Sequence, residues 1–410
     1  MTSILAIAAL LAAQPADDAA IDARVADVLS KTPLIDGHND LPYALHHAAE
    51  GSVADIAADT PYMTDLARMR EGRVGAQMWS VYIPAGTTGD EAVRTTIEQI
   101  DLVDRMVAAY PAELGWAHDT SELLHVFASG RIASMAGIEG GHQIGGNLAA
   151  LRQFKRLGAI YMTLTHSKTT GWADSATDEA RHGGLSDFGR TVIAEMNRVG
   201  MLVDLSHVTA EAMHDALDVT AAPVIFSHSS ARGVTDHVRN VPDDVLTRLP
   251  ANGGVVMVTF VPQFVNAEVG AWGEAREAEM ERLEALYPQI DGEPNEEGRA
   301  AYMAWMEANP APKAQLTDVA DHIDHVARVA GHDHVGIGGD LDGISSTVEG
   351  LDSVDDYPAL FAELARRGWS DENLAKLAGG NLLRVMIEAE AAAAAMAATP
   401  AALDKPPIAD

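Results

Sequence analysis

The sequence predicts an α/β protein with the closed (β/α)8 architecture of a TIM barrel, and three observations support this prediction. Eight short apolar and β-branched runs recur along the 410 residues, and many are continuous, as expected of parallel strands that are covered by helices. Amphipathic stretches such as 91–110, 185–200 and 316–331 lie between them. Histidine and acidic side chains stand where the runs end, and barrels of this kind carry their functional groups at that face.

The predicted strands are, in chain order, 33–38, 74–83, 132–139, 159–166, 201–207, 223–228, 254–260 and 334–340. The first runs into DGHNDLP, where His38 and Asp40 are two residues apart. In a strand both side chains would point to the same side, since side chains alternate with a period of two. The stretch could equally be a turn, because Asp, Gly and Asn are turn residues.

The interval between the seventh and eighth predicted strands is unusual. Residues 266–312 are charged, helix-prone and bracketed by prolines, which predicts a helical insertion. This insertion could cover part of the barrel mouth, or it could be a solvated helical hairpin remote from any site.

The two ends of the chain are expected to lie outside the catalytic domain, which is predicted to span 21–390. Residues 1–20 hold a short apolar core from Ile4 to Ala13, which resembles a secretory signal and is too short to span a bilayer. Export to the periplasm or the extracellular side is therefore expected, with a cytoplasmic location as the alternative. No run of about 18 apolar residues predicts a transmembrane helix. Residues 391–410 form an Ala/Pro-rich tail.

Composition excludes several kinds of protein. With 60 acidic and 28 basic residues the net charge is −32, which argues against nucleic acid and anionic membrane surfaces as partners. The chain has no cysteine, so disulfides, thiolate metal sites and cysteine nucleophiles are excluded. Any metal must therefore be held by His, Asp, Glu or backbone oxygen.

Residues of the ligand type stand at the ends of six predicted strands. They are His38 and Asp40 after the first, Glu139 at the third, His166 at the fourth, His207 at the fifth, His228 at the sixth and Asp340 at the eighth. A single histidine of this kind would more often be structural, but seven at one barrel face indicate a shared site. Four other histidines lie in helical or loop contexts and are assigned no role: His46, His47, His322 and His325.

Nitrogen and oxygen donors of this kind suit zinc or another divalent first-row ion better than calcium. Glu139 could bridge two ions, and a hydroxide shared by both ions could then attack a carbonyl group. Asp340 could serve as general base and acid for that attack. His166 could donate a hydrogen bond to the oxyanion that forms.

A series of motifs between about residues 33 and 386 carries a family resemblance: DGHNDLP, IEGGH, YMTLTHS, DLSHVT, PVIFSHSSA, RNVPDDVL, GGDLDG and NLLRV. In these motifs the chain resembles the membrane (renal-type) dipeptidases, peptidase family M19 of the amidohydrolase superfamily, which are binuclear zinc enzymes on a (β/α)8 barrel of the metal-dependent hydrolase type. The resemblance implies two zinc ions per chain, held by His38, Asp40, Glu139 (bridging), His207 and His228. It also implies an acid/base role for Asp340, substrate positioning or oxyanion binding by His166, and recognition of the substrate's C-terminal carboxylate by Arg239.

Some positions differ from the usual family pattern. Phe264 stands where a substrate-contacting tyrosine would be similar in position, and Leu341 replaces a common phenylalanine, whereas Tyr43 is the aromatic residue that the family often has after the DGHNDLP proline. The preferred side chains of the substrate are therefore left open. Similar enzymes are commonly homodimers, so a homodimer is expected, and the C-terminal tail shows no hydrophobic segment for a lipid anchor.

The resemblance implies a zinc-dependent dipeptidase that accepts dipeptides with a free C-terminal carboxylate, including L,D-dipeptides. One alternative is another binuclear amidohydrolase activity, such as hydrolysis of N-acyl-amino acids or lactones, because the same hydroxide attacks many carbonyls. A silent binding protein on the same barrel is disfavoured, since the full ligand set and Asp340 are present.

Overall fold

The computed structural model describes residues 18–48, 53, 55–288 and 295–403, and it contains the predicted barrel. The strands are β1 (Leu34–Asn39), β2 (Val74–Tyr82), β3 (Leu114–Trp116), β4 (Ile132–Glu139), β5 (Ala159–Thr163), β6 (Leu202–Asp204), β7 (Ile225–Phe226), β8 (Val255–Val258) and β9 (Val335–Ile337). All pairings are parallel, in the order β2-β1-β9-β8-β7-β6-β5-β4, and a β2–β4 pairing closes the barrel. The (β/α)8 prediction is thus confirmed.

Helices surround the barrel and connect its strands. They are α1 (Asp18–Lys31), α2 (Leu41–Ala48), α3 (Leu66–Glu71), α4 (Gly89–Ala109), α5 (Thr120–Ala128), α6 (Leu148–Arg156), α7 (Asp187–Val199), α8 (Ala210–Val219), α9 (Asp243–Leu246), α10 (Leu249–Asn252), α11 (Pro262–Val265), α12 (Ala267–Leu286), α13 (Glu296–Ala308), α14 (Leu316–Val329), α15 (Tyr357–Arg366), α16 (Asp371–Ala375) and α17 (Asn381–Ala395). Because helices cover the outside, β1, β4 and β5 are buried at every residue, which explains their continuous apolar runs.

The structure differs from the predicted strands in two respects. The short strand β3 was not predicted, because three residues are too few to show a period; it pairs only with the first residues of β4. Several predicted strands also end too late: β6 ends at Asp204 and β9 at Ile337. The residues beyond include His207 (φ 73°) and Asp340 (φ 61°), and a left-handed backbone cannot continue a strand.

The predicted insertion between the last two barrel strands is helical, as α12 and α13. The two helices touch through Trp272 and Trp305, whose ring centroids are 6.2 Å apart, and Trp272 Nε1 donates to the carbonyl oxygen of Asn309 at 2.9 Å. Residues 289–294 of the insertion lie outside the described part of the chain.

The predicted end segments are only partly described. Residues 1–17 of the predicted leader and 404–410 of the tail lie outside the described residues, while α1 begins at Asp18 and α17 continues past 390 to Ala395. Beyond α17 the chain returns to the barrel helices, where Ala402 N donates to Glu195 Oε2 at 3.2 Å. Within the described ranges, no helix combines the length and the apolar character that a membrane span requires.

Candidate metal centre

The predicted ligand residues converge at the carboxyl end of the barrel, with Glu139 in the middle. Glu139 Oε1 lies 3.0 Å from His207 Nε2, 3.5 Å from His166 Nε2 and 3.6 Å from His228 Nε2. Glu139 Oε2 lies 3.6 Å from His38 Nε2. A carboxylate with imidazoles at both oxygens is placed to bridge two ions.

The second part of the cluster lies around His38. Its Nε2 is 3.4 Å from Asp40 Oδ2 and 4.0 Å from Asp340 Oδ1. Three groups of side chains therefore bring ligand atoms within 4.8 Å of one another: His38, Glu139 and His228; Glu139, His166 and His207; and His38, Asp40 and Asp340. His166, to which the sequence reasoning gave no ligand role, stands at ligand distance in the second group.

His38 is held in the tautomer that a metal ion needs. Tyr161 Oη donates to the carbonyl oxygen of Gly37 at 3.2 Å, so it accepts from His38 Nδ1 at 2.8 Å. In the neutral ring the lone pair of His38 lies on Nε2, which is buried and has no hydrogen-bond partner in the described structure. Burial alone would lower the pKa of His38, but Tyr161, Glu139 and Asp40 outweigh it and raise that pKa well above its usual value. An unsatisfied buried acceptor that faces carboxylates fits a cation.

Gly137 makes the support under His38 possible. A Cβ at this position would lie 2.0 Å from Cζ of Tyr161, so only glycine lets the tyrosine ring pass beneath the site. Gly343 plays a similar part above it, because a Cβ there would lie 2.2 Å from Asp40 Oδ2 and 2.7 Å from Asp340 Oδ1. The space between the two carboxylates therefore stays open.

His228 is oriented by a chain of buried hydrogen bonds. Ser227 Oγ donates to Asp204 Oδ2 at 2.6 Å and accepts from His228 Nδ1 at 2.8 Å, which leaves the Nε2 lone pair facing the centre. Burial holds the pKa of His207 and of His228 well below its usual value, so both rings are neutral, as metal ligation requires. Their Nε2 atoms are only 2.8 Å apart, a separation that needs a proton or a cation between them.

The carboxylates of the cluster are also suited to binding a cation. Burial raises the pKa of Asp340 well above its usual value, and Asp40 and Glu139 raise it further. Burial would also raise the pKa of Glu139, but His38 and His166 outweigh it and lower that pKa well below its usual value. Three carboxyl groups share this small buried space, which a divalent ion would stabilise.

A cleft of about 550 Å³ opens above the cluster. The predicted substrate contacts Tyr43, Arg239 and Phe264 all line it, together with Tyr82, which the sequence reasoning missed. Tyr82 is the last residue of β2, so the strand-end rule that found the ligands could also have found it. Its ring centroid lies 4.6 Å from that of Tyr43 and 4.8 Å from that of His166.

Arg239 is a buried cation at the side of this cleft. It is only 3% exposed, and burial lowers its pKa to about 10. Its partners are neutral and distant: Ser229 Oγ at 3.5 Å and the carbonyl oxygen of His228 at 3.4 Å. The Phe264 ring centroid lies 5.4 Å from its Cζ. Since no described carboxylate lies within 4.0 Å, the guanidinium is available for an anion.

The histidines without a predicted role lie away from the cluster, and one of them contacts the cleft wall. His322 is buried and accepts from Ala231 N at 2.9 Å, and His325 Nε2 lies 2.7 Å from Asp243 Oδ1. His47 packs against the Tyr43 ring at 4.5 Å between centroids.

Comparison with known proteins gives consistent results. A family model described as membrane dipeptidase (peptidase family M19) matches residues 22–400. An uncharacterized dipeptidase of Schizosaccharomyces pombe is 42% identical over 374 residues, which cover 87% of this chain and 81% of that protein.

Two solved structures share the fold. The probable dipeptidase PvdM from Pseudomonas aeruginosa has a TM-score of 0.78 at 23% identity, over 91% of this chain and 99% of its own. A metallo peptidase from Rhodobacter sphaeroides, liganded with a phosphinate mimic of the dipeptide L-Ala-D-Ala, has a TM-score of 0.71 at 22% identity, over 87% of this chain and 99% of its own.

Proposed function

Since the chain belongs to peptidase family M19, the membrane dipeptidases, and is therefore a metallo-dipeptidase, we propose that it uses two zinc ions to hydrolyse dipeptides with a free C-terminal carboxylate, L,D-dipeptides among them. The family assignment confirms the resemblance seen in the sequence. Beyond the family, we propose the identity of the metal, the number of ions per chain and the roles of individual residues.

The proposed ligands are His38 and Asp40 for one ion, His207 and His228 for the other, and Glu139 for both. The orphaned Nε2 of His38 and the close Nε2 atoms of His207 and His228 support this assignment. When bound, the ions supply a Lewis acid for the peptide carbonyl and lower the pKa of the attacking water.

The chain's own groups carry out the proton transfers. Asp340 Oδ1 accepts the proton of the attacking water and passes it to the leaving amine. Asp340 has a left-handed backbone (φ 61°), which is conformationally strained, and such strain often persists at functional positions. His166 Nε2 donates to the developing oxyanion. This role requires His166 Nδ1 to accept from the Ser167 hydroxyl, which lies 3.1 Å away.

The observation that carries the dipeptide assignment is the buried, unpaired Arg239 in the same cleft as the ligand cluster. Its Nη2 contacts the carbonyl oxygen of His228, so the guanidinium lies beside a proposed metal ligand. A carboxylate bound there in bidentate fashion brings the adjacent peptide bond to the cluster. Tyr43 and Phe264 are proposed to contact the substrate as walls of this cleft.

The test is hydrolysis of L,L- and L,D-dipeptides, with N-acetyl-amino acids beside them, by metal-stripped protein titrated with zinc. Dipeptide hydrolysis that rises to a plateau near two zinc ions per chain is the expected result. Activity confined to N-acetyl-amino acids would overturn the substrate assignment, and a plateau at one ion would overturn the metal count. Export and assembly as a homodimer stay predictions, to be tested by fractionation and by light scattering.

A further inference from the structure

The cleft contains a second arginine, on the helical insertion. Helix α12 presents Val269, Trp272, Gly273 and Arg276 to the cleft. These positions follow the spacing i, i+3, i+4, i+7 and therefore lie on one face of the helix. Leu283 is the buried residue of α12, and Val269 packs partly buried against the core, but Arg276 is exposed, so core packing does not account for its position at the cleft.

Arg276 is held in place by its neighbour. Its Cζ lies 5.5 Å from the Trp272 ring centroid, a cation–π contact. Trp272 is itself fixed by its hydrogen bond to the Asn309 carbonyl and by the Trp305 ring. The guanidinium is thus oriented at the cleft mouth before any substrate binds.

Arg276 has no carboxylate partner in the described structure, since none lies within 4.0 Å of it. This is notable on a helix that carries five glutamates after residue 273. The nearest of them in the helical repeat, Glu279, pairs with Arg282 at 2.7 Å instead. The cleft therefore offers two free guanidinium groups, Arg239 at its buried side and Arg276 at its exposed mouth.

We propose that Arg276 selects dipeptides that carry an acidic side chain. The inference rests on the proposed function, in which Arg239 binds the C-terminal carboxylate, and adds a second carboxylate, that of an Asp or Glu side chain, at Arg276. A protein of net charge −32 repels an anionic substrate in general, so local cations are needed to bind one. Arg276 provides this second charge, with donors suited to a planar carboxylate.

The experiment uses the zinc-loaded full chain and compares dipeptides that differ only in charge: Glu-Ala with Gln-Ala, and Ala-Glu with Ala-Gln. We expect kcat/KM to favour the acidic member of at least one pair by about 1.5-fold to fivefold at low salt, as for an exposed ion pair. The preference should shrink as ionic strength rises. The responsive pair identifies which residue of the dipeptide faces Arg276.

Variants separate this effect from the rest of the site. Arg276→Gln should bring the acid-to-amide ratio to about 1, and Arg276→Lys should retain part of it, because the charge remains. The matched control is Arg299→Gln on α13, a residue of the same insertion that does not line the cleft; its ratio should equal that of the unmodified protein.

A ratio near 1 in the unmodified protein, or a ratio that Arg276→Gln leaves unchanged, would overturn the inference while dipeptide hydrolysis itself persists. Failure to hydrolyse any of the four dipeptides would overturn the proposed function, and the inference with it.

Discussion

Replacing Arg239 with methionine is expected to change substrate binding and stability in opposite directions. The guanidinium is 3% exposed and has no described carboxylate within 4.0 Å. A charge-assisted contact with a substrate carboxylate contributes about 1.5–3 kcal/mol. Its loss should therefore lower kcat/KM for a dipeptide by about 10- to 100-fold, mainly through KM.

The stability of the substrate-free protein, by contrast, should stay the same or increase in Arg239→Met. A buried cation without a paired anion costs free energy, and similar ionic-to-apolar replacements have been neutral or stabilising by about 1–4 kcal/mol. The introduced thioether side chain would lie against the Phe264 ring, which now faces Arg239 at 5.4 Å. We expect the melting temperature of Arg239→Met to be equal or higher by about 1 to 5 °C.

The assay compares each dipeptide with its C-terminal amide, which lacks the carboxylate. In the unmodified protein the amide should be the poorer substrate, and Arg239→Met should affect it little. Arg239→Lys keeps the charge but not the bidentate geometry, so its kcat/KM for the dipeptide should lie between those of the unmodified protein and Arg239→Met. An equal loss for acid and amide, or an unchanged KM for the dipeptide, would refute the carboxylate role.

Three further predictions concern catalysis, packing and pH. Asp340→Asn should retain the proposed zinc ions by elemental analysis while kcat falls by about 100- to 10,000-fold; undiminished turnover would remove Asp340 from the mechanism. Gly137→Ala places a Cβ 2.0 Å from Cζ of Tyr161, so it should destabilise the protein by about 1–3 kcal/mol and weaken zinc binding; wild-type values in both assays would contradict the role of this contact. Burial lowers the pKa of His322 to about 4 from 6.5. The unfolded chain therefore binds the proton first, and up to about 3 kcal/mol of stability should be lost as the pH falls from 6.5 to 4. Denaturant unfolding of His322→Gln should show a weaker pH dependence in this window, and an identical dependence would show that this histidine does not titrate as stated.

Much of the fold was readable from the sequence because each barrel strand is buried on both faces and so appears as a continuous apolar run. The same rule placed the ligand-type residues, since carboxyl ends of parallel strands meet at one face of a barrel. Where the rule failed, the reason was local. The strand β3 is too short to show a period. The strands β6 and β9 end before His207 and Asp340, whose left-handed backbone is incompatible with the longer strands that the apolar pattern predicts.

The sequence by itself determined the barrel, the family and the set of side chains that could hold metal. Only the tertiary structure decided which of them touch, how His38 and His228 are oriented, and that Arg239 is buried with no described carboxylate beside it. It also decided which face of α12 lines the cleft. The reason is that these properties arise from contacts between residues far apart in the chain, such as His38 and Tyr161, 123 positions apart, and no local pattern encodes such a contact.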